Sequence, residues 1–576
     1  MVLAVLALLA GRLVQLQGVQ SSHYAQAADS QRMRSLVLPA TRGTLQDRNG
    51  TPLAVSVLAK AVFGEPRVIA RGRCQPGARK ACTPQDIAQV VAPLLGLDVA
   101  AVQRNLSGDR AFVYLARGLD PALAAKVSAL DLPGIGTLTE TRRSHPSHDL
   151  AESVLGLTDV DGHGAGGAEG AFQSVLAGVD GHSRSQVDGA GRVIPTGVGG
   201  GSEPVAGRDV RLTIDRDLQW YAQQLLAQQV TATQAVNGTV VVMDVRTGQV
   251  LALATAPTFD PDHRQTVDPA VMGDPAISEV YEPGSVNKVI TAAAALQAGV
   301  VTPDTVIDVP STYRVGPHVV HDAERHGLEH LTFTGVLAKS SNIGTVQVAQ
   351  KVGPARLYAA LRAFGFGATS GLGLPGESRG VIPKPAEWSG TSIATIPIGQ
   401  GISVNAVQVA SVYATVANDG VRVTPSIVQG VMDRAGHLVP ARAPEQHRVI
   451  SSVVAAQLRG MLEGVVSDQG TAPQAAVPGY RVAGKTGTAQ RVVAGRYQPG
   501  NYTSSFIGFA PADAPRFVTA VVLQGTGARG YFGGSVAAPL FSRIMAFELR
   551  SAGIPPSGTV APVLRLVADR PTAARR

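Results

Sequence analysis

Glu282-Pro283-Gly284-Ser285-Val286-Asn287-Lys288 opens onto an alanine-rich run that ends at Ala298-Gly299. Pro283-Gly284 closes an irregular stretch, the run is mostly apolar, and a glycine stops it, so the sequence predicts a helix over 286–298 with Ser285 at its N-terminus. On a helix, i,i+3 spacing sets the Ser285 hydroxyl and the Lys288 amine on one face, a turn apart. Backbone amides at a helix start lack partners and the dipole there favours negative charge. An attacking alkoxide and a tetrahedral oxyanion are both negative. Lys288, once buried, has its ammonium form disfavoured by desolvation and can serve as a general base, a role worth about 10²–10⁴ in rate.

In a chain with eight lysines, a Ser three residues before a Lys arises by chance about half a time, so the pair alone decides little. Two more motifs follow in order. Ser340-Ser341-Asn342 begins 55 residues after Ser285, and Lys485-Thr486-Gly487-Thr488 begins 145 residues after Ser340. Taken singly, Lys288 suits a surface, Asn342 a helix cap and Gly487 a bulge; only the ordered set carries chemistry. Ser340 follows a helix expected from about Thr332, where it can relay a proton to a leaving amine, and Asn342 can hold a substrate amide. On a strand, Lys485 and Thr486 can meet a substrate carboxylate while Gly487 admits close backbone approach. Backbone N–H groups of Ser285 and Thr488 would form the oxyanion hole, each donor worth about 10²–10³. The chemistry is acyl transfer through a serine ester.

Around these motifs the fold is legible as α+β. Thr239 to Val245 and Gln249 to Thr255 flank the turn Arg246-Thr247-Gly248, a hairpin by alternation and turn chemistry. A largely helical stretch runs from Ser285 to about 470, and Val482 to Gln490, Ser504 to Pro511 and Phe517 to Gln524 read as three more strands. Two strands, a helical insertion and three strands predict one five-stranded antiparallel sheet with helices on its faces. A helix is expected from Arg216 to about Val230, and a domain boundary near 205–215. Upstream, in a domain expected over 21–205, residues 60–150 mix short strands with helices such as Gln85 to Leu95 and Pro121 to Leu130; the glycine-dense part, Gly156 to Gly170, reads as a hinge or loop.

With 576 residues, 45% of them hydrophobic and 16% charged, the chain exceeds what one core holds and folds as at least two domains. Residues 551–576 are rich in Pro, Ala and Arg and are expected to be a disordered tail. The net charge of +8 rests on dispersed arginines with no basic run, which argues against nucleic-acid binding and allows attraction to anionic lipid or wall polymer. Residues 1–20 start almost wholly apolar but fall short of the ~20 residues of a spanning helix; they fit a signal anchor entered part-way, with a buried helix as the alternative. Cys74 and Cys82 sit eight apart in a loop; in an exported body they are expected to form a disulfide. His318, His321, His326 and His330 with Asp322 and Glu324 invite a metal reading. Their spacing suits no helix, so solvated loop histidines are expected and no metal or cofactor is called for.

The three motifs together resemble those of penicillin-binding proteins, and the chain as a whole resembles the class B members of division type. Arg42-Gly43 with Asp47-Arg48-Asn49-Gly50, then Leu132-Pro133-Gly134-Ile135, Val160-Asp161-Gly162 and Gly167-Ala168-Glu169, look like the family's pedestal motifs. Glu282-Pro283-Gly284-Ser285, Gly399-Gln400-Gly401, Tyr531-Phe532-Gly533-Gly534 and Ala537-Ala538-Pro539 look like parts of its catalytic domain. The resemblance implies a serine β-lactamase/D,D-peptidase-like domain over 206–550, with a helical subdomain, behind an elongated pedestal (dimerisation-type) domain. It further implies a membrane-anchored peptidoglycan D,D-transpeptidase acting in septal wall synthesis. Ser285 would be acylated by a stem peptide or by a β-lactam, with a polytopic membrane glycosyltransferase and other division proteins as partners. Val286-Asn287 departs from the Thr-containing pair common in the family, a change that would act on β-lactam affinity rather than on the nucleophile.

Other readings of the same residues are a β-lactamase, which needs a deacylating base and has no use for the pedestal, a D,D-carboxypeptidase with water as acceptor, and a non-catalytic penicillin-binding sensor or scaffold.

Overall fold

The computed structural model describes residues 1–21, 33–71, 83–187, 193–262, 267–268 and 271–568. They form two compact units: Met1–Gly43, Val55–Ser144 and Ser174–Arg208 in the smaller, and Thr44–Ala54, His145–Gln173 and Asp209–Arg576 in the larger. Two stretches from the N-terminal third thus belong with the C-terminal body, where a single boundary near 205–215 was expected. Long-range bonds are the reason. Leu45–Gln46 pairs in parallel with Val210–Leu212, the Asp209 carboxylate accepts from the Thr44 amide at 2.7 Å, and Gln223 accepts from the Ala151 amide.

In the smaller unit the strand Pro52–Gly64 pairs antiparallel, from Val55 onward, with Ile135–Ser144 and with Val113–Leu119. Helices Pro84–Leu95, Val99–Leu106 and Pro121–Ser128 close its core with Ile87, Val91, Val102, Leu106 and Val127. The first of them starts where expected because Thr83 and Asp86 cap it reciprocally. Met33–Leu38, Gly181–Val187 and Val193–Ser202 make a separate three-stranded sheet. At the N-terminus, helix Val2–Val14 exposes its apolar side chains and continues into a π-turn over Gln15–Val19. No described helix is long and apolar enough to cross a membrane. The Cys74–Cys82 pairing falls outside the described residues.

The larger unit is built on α1 (Arg216–Thr233), β1 (Asn237–Asp244), β2 (Val250–Ala256), α2 (Lys288–Gln297), α3 (Phe333–Ala338), α4 (Asn342–Val352), α5 (Ala406–Ala417), α6 (Ser452–Val466), β3 (Ala483–Val493), β4 (Arg496–Ala510), β5 (Phe517–Thr526) and α7 (Ala538–Ser551). The five strands form one antiparallel sheet in the order β2-β1-β5-β4-β3, as the pattern of two strands, helical insertion and three strands predicts. β1, β2 and β5 are buried almost throughout, so helices cover both faces and the strands read as continuous apolar runs rather than as an alternation. α1 and α7 pack against each other through the stacked rings of Tyr221 and Phe547, and α5 lies on β1, β4 and β5.

Two expectations are corrected here. The Gly156–Gly170 segment is not a hinge: a Cβ on Gly156 would come 2.1 Å from the Gly166 carbonyl oxygen, and one on Gly164 would come 2.0 Å from that of Glu169. Gly156, Gly164 and Gly167 permit backbone-to-backbone packing. Nor is the tail disordered over its described length. Residues 552–568 lie along the domain, with Leu566 only 5% exposed, because alternate leucines and a set of hydroxyls find partners that the Pro/Ala/Arg composition conceals.

Candidate active site

Gly284 takes φ +57° and starts a 3₁₀ turn over Gly284–Asn287 that runs directly into α2. The regular helix therefore begins at Lys288, two residues later than expected. Three residues per 3₁₀ turn eclipse positions i and i+3, so Ser285 and Lys288 remain on one face. The turn is held from behind. Asn287 Nδ2 donates to the Ile396 carbonyl at 2.9 Å, Thr291 to that of Pro397 at 2.9 Å, and Tyr413 Oη to that of Val286 at 3.0 Å. The Gly284 amide donates to Gly399 at 3.0 Å, and Glu282 accepts from the Gly401 amide and from Tyr497 Oη. These contacts bring Gly399-Gln400-Gly401 against the serine.

Lys288 is 1% exposed. Its Nζ reaches the Ser340 carbonyl at 2.6 Å, Ser340 Oγ at 3.1 Å and Asn342 Oδ1 at 2.7 Å. Ser340 presents these groups from a left-handed turn, φ +59°, between α3 and α4. Burial pulls Lys288 down to about 7, against a smaller opposing pull from Asp322. As a neutral amine it keeps two protons for the two carbonyl-type oxygens, while its lone pair can accept from Ser340 Oγ. The trio is thus satisfied in either protonation state. Ser285 is half-buried, and among the described residues no hydrogen bond joins its hydroxyl to Lys288.

β3 carries Lys485-Thr486-Gly487-Thr488 along the edge of the sheet. A Cβ on Gly487 would lie 2.3 Å from Ser505 Oγ, 3.0 Å from Val286 Cγ1 and 3.1 Å from the Pro283 carbonyl, so only glycine lets the strand close on the serine turn. Lys485 is fully buried, and among the described residues its Nζ bonds only to Thr486, at 3.2 Å to Oγ1 and 3.3 Å to the carbonyl. Burial first, and the nearby Lys288 second, hold its ammonium well below the usual lysine range. Among the described residues no carboxylate lies within ion-pair distance of either lysine. Thr486 shares a hydrogen bond with Thr471 at 2.9 Å, and Thr488 Oγ1 accepts from the Gly533 amide at 3.2 Å.

One functional group escaped the sequence. Asp322 accepts from the amides of Asn342 (2.6 Å) and Ile343 (3.0 Å) and from Ser341 Oγ (2.7 Å). Asn342 Nδ2 donates to the carbonyl of His321 at 2.8 Å. His326 Nε2 stands 3.1 Å from Asp322, with only 14% of the His side chain exposed. The loop read as solvated thus grips the Ser340-Ser341-Asn342 turn. A charge in a polar segment whose partners lie twenty residues on carries no local signal.

A serine at a 3₁₀ turn, a buried lysine joined to a second serine and an asparagine, and a Lys-Thr-Gly-Thr edge strand define an active-site serine acyltransferase of the penicillin-binding class. Residues 238–546 match the penicillin-binding protein transpeptidase domain, and 37–212 the penicillin-binding protein dimerisation domain. The chain is 40% identical to penicillin-binding protein PbpB of Mycolicibacterium smegmatis, over 98% of this chain and 91% of the relative. It is 35% identical to peptidoglycan D,D-transpeptidase FtsI of Escherichia coli, over 96% and 91%. The crystal structure of penicillin-binding protein 3 from Mycobacterium tuberculosis complexed with aztreonam matches with a TM-score of 0.72 and 35% identity, over 93% of this chain and all of the other. The chain belongs to the penicillin-binding protein transpeptidase family, in its class B, and is a serine-type peptidoglycan D,D-transpeptidase.

Proposed function

We propose that the chain cross-links peptidoglycan stem peptides through an acyl-enzyme on Ser285. Ser285 Oγ attacks the carbonyl carbon of the penultimate D-Ala and its proton passes to Lys288. The backbone amides of Ser285 and Thr488 hold the oxyanion. Collapse breaks the peptide bond, and the leaving D-Ala amine takes its proton from Lys288 through Ser340. The amine of a second stem then attacks the ester, gives up a proton by the same route, and returns Ser285 to its hydroxyl form. Asn342 holds the stem's amide, and Lys485, Thr486 and Thr488 take its terminal carboxylate, which offsets the desolvation of the Lys485 ammonium. As an edge strand, β3 can accept an extended peptide beside it, with Gly487 admitting close approach.

The observation that carries this reading is the buried Lys288 bonded to Ser340 and Asn342. A solved relative complexed with aztreonam supports β-lactam binding by this chain, with attack at Ser285. The division-type resemblance of the upstream motifs supports work at the division septum, with a polytopic glycosyltransferase as partner. The exposed apolar side chains of Val2–Val14 support a membrane-seated N-terminus with the body outside the cytoplasm, and the two family matches support a pedestal domain over 21–205 preceding a catalytic domain over 206–550.

The test is intact-mass spectrometry with benzylpenicillin, followed by product analysis on stem peptides. A persistent adduct of one penicillin, absent from Ser285→Ala, with release of D-Ala and formation of cross-linked product, is expected. Hydrolysed stem without cross-link would reassign the chain as a carboxypeptidase. Rapid turnover of penicillin would make it a β-lactamase, and a folded chain that never acylates would make it a sensor or scaffold.

A further inference from the structure

Residues 552–568 touch, in turn, the segments that lead into two of the motifs. At the near end, Tyr480 Oη donates to the Ile554 carbonyl at 2.6 Å and the Ser557 amide to Gly479 at 2.9 Å. The Arg481 amide donates to Ser557 Oγ at 2.9 Å and its guanidinium to Thr559 at 2.6 Å. Ser557 and Thr559 both donate onto the Asp513 carboxylate, at 2.9 and 2.6 Å. Tyr480 and Arg481 lead directly into β3 and Lys485, and Asp513 lies in the turn between β4 and β5.

At the far end, Thr332 caps α3 by accepting from the Gly335 amide at 3.0 Å, and its hydroxyl donates in turn to the Arg565 carbonyl at 2.6 Å. The Thr332 amide donates to Leu566 at 3.0 Å and the Ala568 amide to His330 at 2.8 Å. Leu566 is buried, and a Cβ on Gly335 would fall 1.9 Å from its carbonyl oxygen. Gly464 of α6, a helix that packs on β3, faces the tips of Leu564 and Leu566.

We propose that residues 552–568 are a strap that positions Ser340 and Lys485 for acyl transfer; the proposal deepens, and rests on, the transpeptidase reading above. Ser340 stands two residues beyond the end of α3, so where the strap seats α3 decides where the Ser340 hydroxyl meets Lys288. A misplacement of about 1 Å at such a relay can cost about 10²-fold in rate. The strap sets this position from behind the site, without touching substrate.

The experiment uses four full-length chains: wild type, Leu566→Asp, Gly335→Ala and the double variant. Leu566→Asp releases the far end of the strap. Gly335→Ala, favourable in a free helix, collides with the seated strap. Each single variant is expected to slow acylation by a fluorescent penicillin about tenfold while still reaching one label per chain. The double variant should be no slower than Leu566→Asp, since the collision vanishes once the strap has left. Leu566→Met, which refills the site, should keep the wild-type rate. Hydrogen exchange should show residues 333–342 less protected in Leu566→Asp. Wild-type rates in both singles, or slowing that multiplies in the double, would overturn the strap's role. If Leu566→Asp fails to fold, Leu566→Ala replaces it in the same comparison. A wild type that never acylates would sink the transpeptidase reading instead; the strap would then stand or fall on whether 333–342 loses protection.

Discussion

The Asn342 amide donates to Asp322 Oδ1 at 2.6 Å, which ties the start of α4 to a loop twenty residues upstream. Asp322 also opposes the desolvation of Lys288. Asp322→Ala therefore removes both a helix cap and a counter-charge. It should cost about 1–2 kcal/mol in denaturant unfolding and slow penicillin acylation about 10- to 100-fold. With the negative charge gone, Lys288 should fall further, so the acid limb of the acylation profile should move to lower pH. A loss of rate with the limb unmoved would leave Asp322 a structural cap only.

Acylation by wild type should rise with pH through about 7, where buried Lys288 loses its proton. The sign follows from the neutral amine being the base: with the folded value lowered from 10.5, the reactive form is already abundant at neutral pH. Below the midpoint the second-order rate constant should fall about tenfold per pH unit. Stopped-flow acylation over buffered steps measures it, with Lys288→Gln as the inactive reference.

Gly399 adopts φ +83°, and a Cβ there would meet the Gly284 carbonyl oxygen at 2.1 Å. Gly399→Ala should destabilise the catalytic unit by about 1–3 kcal/mol and shift the serine turn with it. Urea unfolding and penicillin labelling of the same sample should then both change; labelling at full rate would mean that the 399–401 loop is not coupled to Ser285.

Glu152 is fully enclosed beside His145, 3.7 Å away, and burial, reinforced by Glu169 and neighbouring aspartates, pushes its carboxyl up to about 10. It is therefore a neutral acid at physiological pH. Because the folded state holds this proton more tightly than the unfolded state, stability should decline as pH climbs from about 5 toward 10. Glu152→Gln should flatten that slope in unfolding measured across the range.

The three motifs and the two-plus-three strand pattern were legible because each is local: a hydroxyl and an amine one turn apart, apolar runs bounded by turn residues. The serine's 3₁₀ turn, by contrast, depends on Gly399 and Gly487 closing around it, which no window of a dozen residues contains. Asp322 looked solvated because its partners are the amides of a distant helix. The tail looked disordered because two leucines among prolines, alanines and arginines do not announce a seat. Likewise, the glycines at 156–167 spell flexibility by composition, while Gly156, Gly164 and Gly167 each leave room for a close backbone neighbour that a side chain would strike.

In the sheet, β1 lies between β2 and β5, with Asp244 facing Phe517 and Asn237 facing Gln524. A growing chain thus makes the hairpin of β1 and β2 long before β5 exists to cover its open edge. Non-local pairing of this kind is slow and leaves strand edges exposed while it waits. Newly made protein should therefore depend on chaperones until residues 483–526 emerge, and a message truncated before them would yield an aggregating fragment rather than a weak enzyme.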